Sequence, residues 1–331
     1  MTVRPPSAAL ELPHLVRKSR RALEQEARAL KGALDEYAST RPMAGCPHQA
    51  DALSVKRVGS RVRAAQRQLL ASGQQQARLI LVNAYDHLVS MGRLLGTDGS
   101  MSLYAHTTLS RSVCEAAVRH AWLLGASLSY EERITRSAAM LIASTENRLK
   151  GVRDAPERNM GAQIKQMLVD NCTAEDEQVR QLIGQAGMDL VPEARGRKTA
   201  RIELRGTAVK APVKLDIGPL MAELLPESPG WYLLSSGIAH SAAWVLHAAV
   251  MGPVNGPELA LTPDLLEVAA AAESAISGSA LIIQKHATYY GYDPGPRLRQ
   301  SQQRRNMLDV LMREQVARQM TNPAPLIPAG P

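Results

Sequence analysis

LSRSVCEAAVRHAWLL, residues 109–124, sets the fold class. Leu109, Val113, Ala116, His120 and Leu123 fall three or four apart and form one stripe of a helix. Arg111, Glu115 and Trp122 gather on the roughly opposite side. Arg111 and Glu115 stand one turn apart, in register for an ion pair. The same period extends outward in both directions.

Upstream, ARLILVNAYDHLVSMGRLL (residues 77–95) belongs to a helix expected from Gln74 to Leu95, with Asn83, Asp86 and His87 set among apolar residues. A helix ending near Ser72 precedes it. Residues 41–50, RPMAGCPHQA, read as a loop from their prolines and glycine. The first helix is expected from His14 to Tyr37, with Leu15, Ala22, Leu23, Leu30 and Leu34 on its apolar side. Gly96-Thr97-Asp98-Gly99 separates the third helix from a fourth, Met101 to Leu124. Another follows from Tyr130 to about Lys150. Thr173, ahead of Glu175, Asp176 and Glu177, reads as the N-cap of a short helix with acids in its first turn.

Residues 189–216 break the pattern with alternating and β-branched stretches around Gly206, so a hairpin or a long loop is expected there. Helical pattern returns at Ile217. Thr262-Pro263-Asp264 opens a long helix with proline at its first position. An amphipathic helix spans about Arg297 to Met320, before a proline-rich tail. The expected fold is therefore all-α or nearly so: a helical bundle with a small insertion.

Composition agrees. Aromatic residues make up 3% of the 331, and phenylalanine is absent. The core must be built from Leu, Ala, Val, Ile and Met, among them good helix formers. Cys46, Cys114 and Cys172 are odd in number and widely spaced, which argues against a disulfide framework or a cysteine zinc site. The N-terminal residues lack the apolar run of a secretory signal, so a cytoplasmic location is expected. From Glu227 to Glu258 no charged residue intervenes, and the stretch approaches membrane-spanning length. It also carries His240, His247 and several serines, so a central helix buried by its neighbours is expected rather than a span.

Charge is uneven. Residues 1–78 hold 14 Lys/Arg against 6 Asp/Glu, residues 295–331 hold 6 against 2, and residues 79–294 hold 19 against 23. Three segments follow: basic N-terminal helices (1–78), a main bundle (79–294) and a basic C-terminal helix with its tail (295–331). Basic helices can track phosphate backbones by releasing counterions. They are equally an ordinary solvated face.

No Walker loop, dinucleotide fingerprint, H-E-x-x-H or G-x-S-x-G motif is present. His240 and His247 would lie about 10 Å apart on one helix, too far to share a metal unaided. No metal site or cofactor is expected. What remains is a set of polar residues in apolar helices: Asp86, His87, Arg111, Glu115, Arg133, Arg136, Tyr232, Ser235, Ser236 and His240. Such groups are costly to bury unless they bond to one another. They could form a network fixing helix register, or a cluster in which His240 titrates and arginines hold an anion.

The run LSRSVCEAAVRHAWLL, then EERITR, then YLLSSGIAH resembles poorly characterised actinobacterial helical proteins and, more loosely, the HEPN-like bundles of abortive-infection and toxin–antitoxin systems. Arg111 and Glu115 match the first element. Arg133 and Arg136 match the second, and Tyr232, Ser235 and His240 the third. The resemblance implies a nucleic-acid-linked role, with His240, Arg111 and Glu115 as the catalytic set and the others binding ligand. One departure counts against catalysis: active HEPN ribonucleases carry an arginine four to six residues before the histidine, and Leu233 to Ser236 offer none. Arg41 and His48 approach that spacing, in the loop. Three readings stay open: a nucleic-acid-linked bundle, a scaffold or homo-oligomer, and a binder of a small anion.

Overall fold

The computed structural model describes residues 13–95, 102, 104–159, 161–194, 198–228, 230–242, 250–251, 260–261 and 264–321. Ten α-helices occupy most of them: α1 (His14–Ser39), α2 (Pro47–Arg57), α3 (Ser60–Leu94), α4 (Ala105–Leu124), α5 (Tyr130–Asp154), α6 (Ala162–Gln185), α7 (Ile217–Leu224), α8 (Trp231–Ala239), α9 (Leu265–Tyr290) and α10 (Gly295–Thr321). The all-α expectation holds, with one small sheet added.

Four local expectations change. The break expected near Ser72–Gln74 sits instead at Val58-Gly59, and α3 runs 35 residues without interruption. Gly73 reads as punctuation but serves close packing: a Cβ there would fall 1.9 Å from the Ser137 hydroxyl oxygen on α5. Residues 47–50, expected as loop, form the first turn of α2, with Pro47 where its missing N–H costs nothing. Thr173 caps no helix. It lies inside α6 and its hydroxyl donates to the Val169 carbonyl at 2.7 Å. Finally, Asp264 caps α9 by accepting from the Leu266 amide at 2.8 Å, while Thr262 and Pro263 fall outside the described residues.

The insertion is a three-stranded antiparallel sheet in the order β1 (Met188–Pro192), β2 (Thr199–Leu204), β3 (Lys210–Pro212). Gly206, at φ +74°, makes the turn between β2 and β3 where a side chain would be strained. Met188, Ile202, Leu204 and Ala211 turn inward onto α5 and α6. A two-residue pair, β4 (Val250–Met251) with β5 (Ala260–Leu261), is also antiparallel.

The centre of the bundle is α9, not the uncharged stretch 227–258. Small residues let α9 lie close to α4: a Cβ at Gly278 would meet the Cys114 backbone at 3.3 Å. Ser110 donates to the Ala271 carbonyl at 2.7 Å and Cys114 to the Ser274 carbonyl at 3.3 Å, two hydrogen bonds that tie the helices together across this seam. One described helix, α9, is long and apolar enough to cross a membrane, and 72% of its most apolar window is buried within the bundle. Of the stretch expected as a central helix, the described residues give α8, nine residues long, which ends at Ala239, while residues 229, 243–249 and 252–259 lie outside the described residues. His247 lies outside the described residues.

Two apolar clusters fill the interior. One joins α1, α4, α7, α9 and the second half of α3. The other joins the first half of α3 to α5, α6 and the sheet. Ile80, Leu215 and Leu220 pack against both and mark the seam between them. The basic ends share this interior: Val16, Leu23 and Leu30 of α1 and Leu308 of α10 are core residues of the first cluster. Buried Glu26 on α1 accepts from Ser301 at 2.9 Å and pairs with Arg304 at 2.7 Å, fastening α10 to α1.

Candidate functional site

The residues singled out by sequence fall in four places. Arg111 and Glu115 form the expected ion pair on α4 at 2.7 Å, partly shielded from water. Tyr232 of α8 joins them, its ring 5.2 Å below the Arg111 guanidinium. Arg119 reaches the other Glu115 oxygen at 3.5 Å. This junction clamps α8 to α4 through a charged pair and a cation–π contact.

Ser235 and His240 do not extend the junction. Ser235 is buried, and its hydroxyl donates to the Trp231 carbonyl at 2.6 Å within its own helix. His240 is exposed at the C-terminal end of α8, about 12 Å along the axis from Tyr232. Among the described residues its ring has no hydrogen-bond or ion-pair partner; its backbone amide bonds to the Ser236 carbonyl. His240→Ala is therefore expected to change stability by less than about 0.5 kcal/mol. A clear drop in melting temperature would reveal a partner for the ring.

Asp86 is exposed and His87 half-buried on α3. Neither is bonded to the Arg111 junction. Arg136 is tied down near the C-terminal end of α4, donating to the Trp122 carbonyl at 2.8 Å and lying 5.2 Å from the Trp122 ring centre.

Arg133 belongs to a different network, and a fully buried one. Its Nε donates to both Asp51 oxygens, at 3.1 and 2.9 Å, and its Nη1 donates to the Gly125 carbonyl at 2.8 Å. The Tyr289 hydroxyl donates to Asp51 at 2.9 Å and accepts from the Gln74 amide at 2.9 Å. Burial pushes the Asp51 carboxyl up from its ordinary value, while the Arg133 guanidinium and the Tyr289 hydroxyl pull against that rise. Four elements meet here: α2, α3, α5 and α9. Beside Tyr289 lie Tyr290, His48, His286 and His120, ring against ring at 4.8–5.8 Å. His120 and His286 are both buried. Burial holds His120 well below the ordinary imidazole value and His286 at about 4, so both rings are neutral near pH 7.

Asp51 and Tyr289 were missed in the sequence. The signal was the doubled tyrosine, Tyr289-Tyr290, in a chain with eight tyrosines and no phenylalanine. Buried hydroxyls require partners, and Tyr289 finds one across the bundle.

The network cannot serve a substrate. Asp51, Arg133 and Tyr289 are between 0 and 4% exposed. Two grooves on the described surface, of ≈ 630 and ≈ 540 Å³, are lined by none of Arg111, Glu115, Tyr232, Ser236 or His240. Among the described residues no three His, Cys, Asp or Glu side chains gather to hold a metal ion. The geometry thus supports helix clamps at both sites.

The charged surface is more informative. From residue 52 to residue 85 there is no Asp or Glu, while Lys56, Arg57, Arg61, Arg63, Arg67 and Arg78 fall in that span. Lys56, Arg57, Arg61, Arg67 and Arg78 are exposed, beside exposed Gln68 and Gln75. Arg63 turns back to donate to the Val58 carbonyl at the elbow between α2 and α3. The basic C-terminal helix differs: Arg297, Arg304, Arg305, Arg313 and Arg318 each pair with a carboxylate, on Glu36, Glu26, Glu227, Asp309 and Glu314.

The chain matches no family model, no curated protein and no solved structure.

Proposed function

We propose that this chain is a non-catalytic helical-bundle protein that holds the phosphate backbone of nucleic acid along the outer face of α2 and α3. The supporting observation is the exposed Lys56, Arg57, Arg61, Arg67 and Arg78 on a segment, residues 52–85, that itself carries no Asp or Glu. From Arg61 to Arg78 it extends about 26 Å along α3, several phosphate spacings of a duplex. Arginines and glutamines on one helical face supply charge and hydrogen-bond donors together. The resemblance to HEPN-like bundles points to the same class of partner, and kinship with them is part of the proposal.

The role assigned to α10 narrows on physical grounds. An arginine already paired with a carboxylate gains little by exchanging it for a phosphate. Replacing Arg57, Arg61 and Arg67 together by Gln should therefore weaken RNA or DNA binding at least ten-fold at low salt, as counterion release at three sites is lost. The matching change of Arg313 and Arg318 to Gln should alter binding little. Equal losses from both variants in a filter-binding or fluorescence-anisotropy titration would contradict the assignment to α2 and α3.

A further inference from the structure

A groove of ≈ 630 Å³ lies between α3, α4, α5 and the chain leaving β3. It opens over the seam of the two apolar clusters, where Ile80 and Leu215 touch both. Such junctions leave side chains short of neighbours, and the volume falls within the range of small-molecule sites. Leu79, Ile80, Met140, Val213 and Leu215 give it apolar walls. Leu79 is 60% exposed, an uncovered surface for a residue of its kind.

Its charged groups are of one sign and stand beside polar Gln76, Ser144 and Asn147. Arg119 and Lys214 line it, and no Asp or Glu does. Lys214 is exposed with no ion-pair partner among the described residues. Arg119 holds Glu115 only at 3.5 Å, because Glu115 is engaged by Arg111 at 2.7 Å, which leaves guanidinium N–H groups to spare. The Oε1 of Gln76, also in the lining, is buried and has no hydrogen-bond partner. A buried acceptor of this kind calls for a donor.

We propose that this groove binds one small amphipathic anion, an acyl or alkyl chain carrying a carboxylate or phosphate head. The chain covers the apolar walls, and Arg119 and Lys214 receive the head. Charge complementarity selects this occupant: an apolar floor alone would accept any oily group, but two cations in a lining that holds no Asp or Glu favour an anion. The cations of the groove, Arg119 and Lys214, lie outside α2 and α3, so the two proposals succeed or fail separately.

The test is isothermal titration calorimetry with decanoate, decyl phosphate and decanol, each below its micellar concentration, on the full chain. One saturable site for decanoate or decyl phosphate is expected, with decanol about ten-fold weaker, the loss of one charge-assisted contact. The stronger of the two anions identifies the head group. Lys214→Gln, on an exposed segment, should weaken the anion and leave decanol unchanged. Ala143→Trp should abolish binding of all three, with circular dichroism showing the fold retained. The Arg57, Arg61 and Arg67 variant should bind the probes as well as the wild type. No saturable site for either anion, decanol binding as tightly, or binding undiminished by Ala143→Trp would overturn the proposal.

Discussion

Arg133→Met is expected to lower the free energy of unfolding by about 3–5 kcal/mol, because it leaves the Asp51 carboxylate buried without its cation. Asp51 is 1% exposed, and its remaining partner, the Tyr289 hydroxyl, cannot replace a guanidinium that donates to both carboxylate oxygens. Asp51→Leu alone should cost a similar amount by stranding Arg133. Combining the two should recover much of the loss, since an apolar pair of similar volume can match a buried ion pair. Urea denaturation of the four proteins measures the coupling directly. Simple addition of the two losses would show that the pair interacts little.

Acid should unfold this protein more readily than its carboxylates alone would predict. Burial lowers His106 and His286 from 6.5 to about 4, and holds His120 well below 6.5. A lowered imidazole value means that the unfolded chain takes up protons first as the pH falls through 6.5. Stability is therefore present at neutral pH and drains away between about pH 6.5 and pH 4. Between pH 7 and pH 5, His106 and His286 should each remove about 2 kcal/mol. Glu26, Asp51, Glu267 and Glu273 are raised by burial and act in the opposite sense as the pH nears their range. The upper part of the window is consequently governed by the histidines. A double replacement, His120→Leu with His286→Leu, should bring the pH 5 and pH 7 stabilities much closer together. An unchanged gap between them would place the acid response elsewhere.

The helical class was legible because the 3.6-residue period survives from His14 to Thr321 with few interruptions. Its organisation was less so, and the reason differs by element. Gly73 looks like a break but is required by Ser137 on another helix, a tertiary fact with no local signal. The stretch from Glu227 to Glu258 was read as the buried centre for want of charge. That place is taken by α9, whose Ala271, Ala272, Ala275 and Gly278 permit the close approach to α4 that bulkier residues would prevent. The Arg111–Glu115 pair was readable because i,i+4 spacing places both groups on one face. The pairing of Arg133 with Asp51 joins residues 82 apart in sequence, and no spacing rule reaches that far. His240 looked interior only while its helix was thought to continue; α8 ends beside it and leaves the ring in water.

The central claim, that α2 and α3 present a phosphate-binding face, is tested most directly by the salt dependence of nucleic-acid binding. For a short duplex, the plot of log K against log salt concentration should be linear and steep, with a slope near −0.9 for each phosphate neutralised. Replacing Arg57, Arg61 and Arg67 by Gln should flatten that slope by roughly 2 to 3. A wild-type protein that binds no duplex or single strand at low salt would contradict the account, as would a slope that the three replacements leave unchanged.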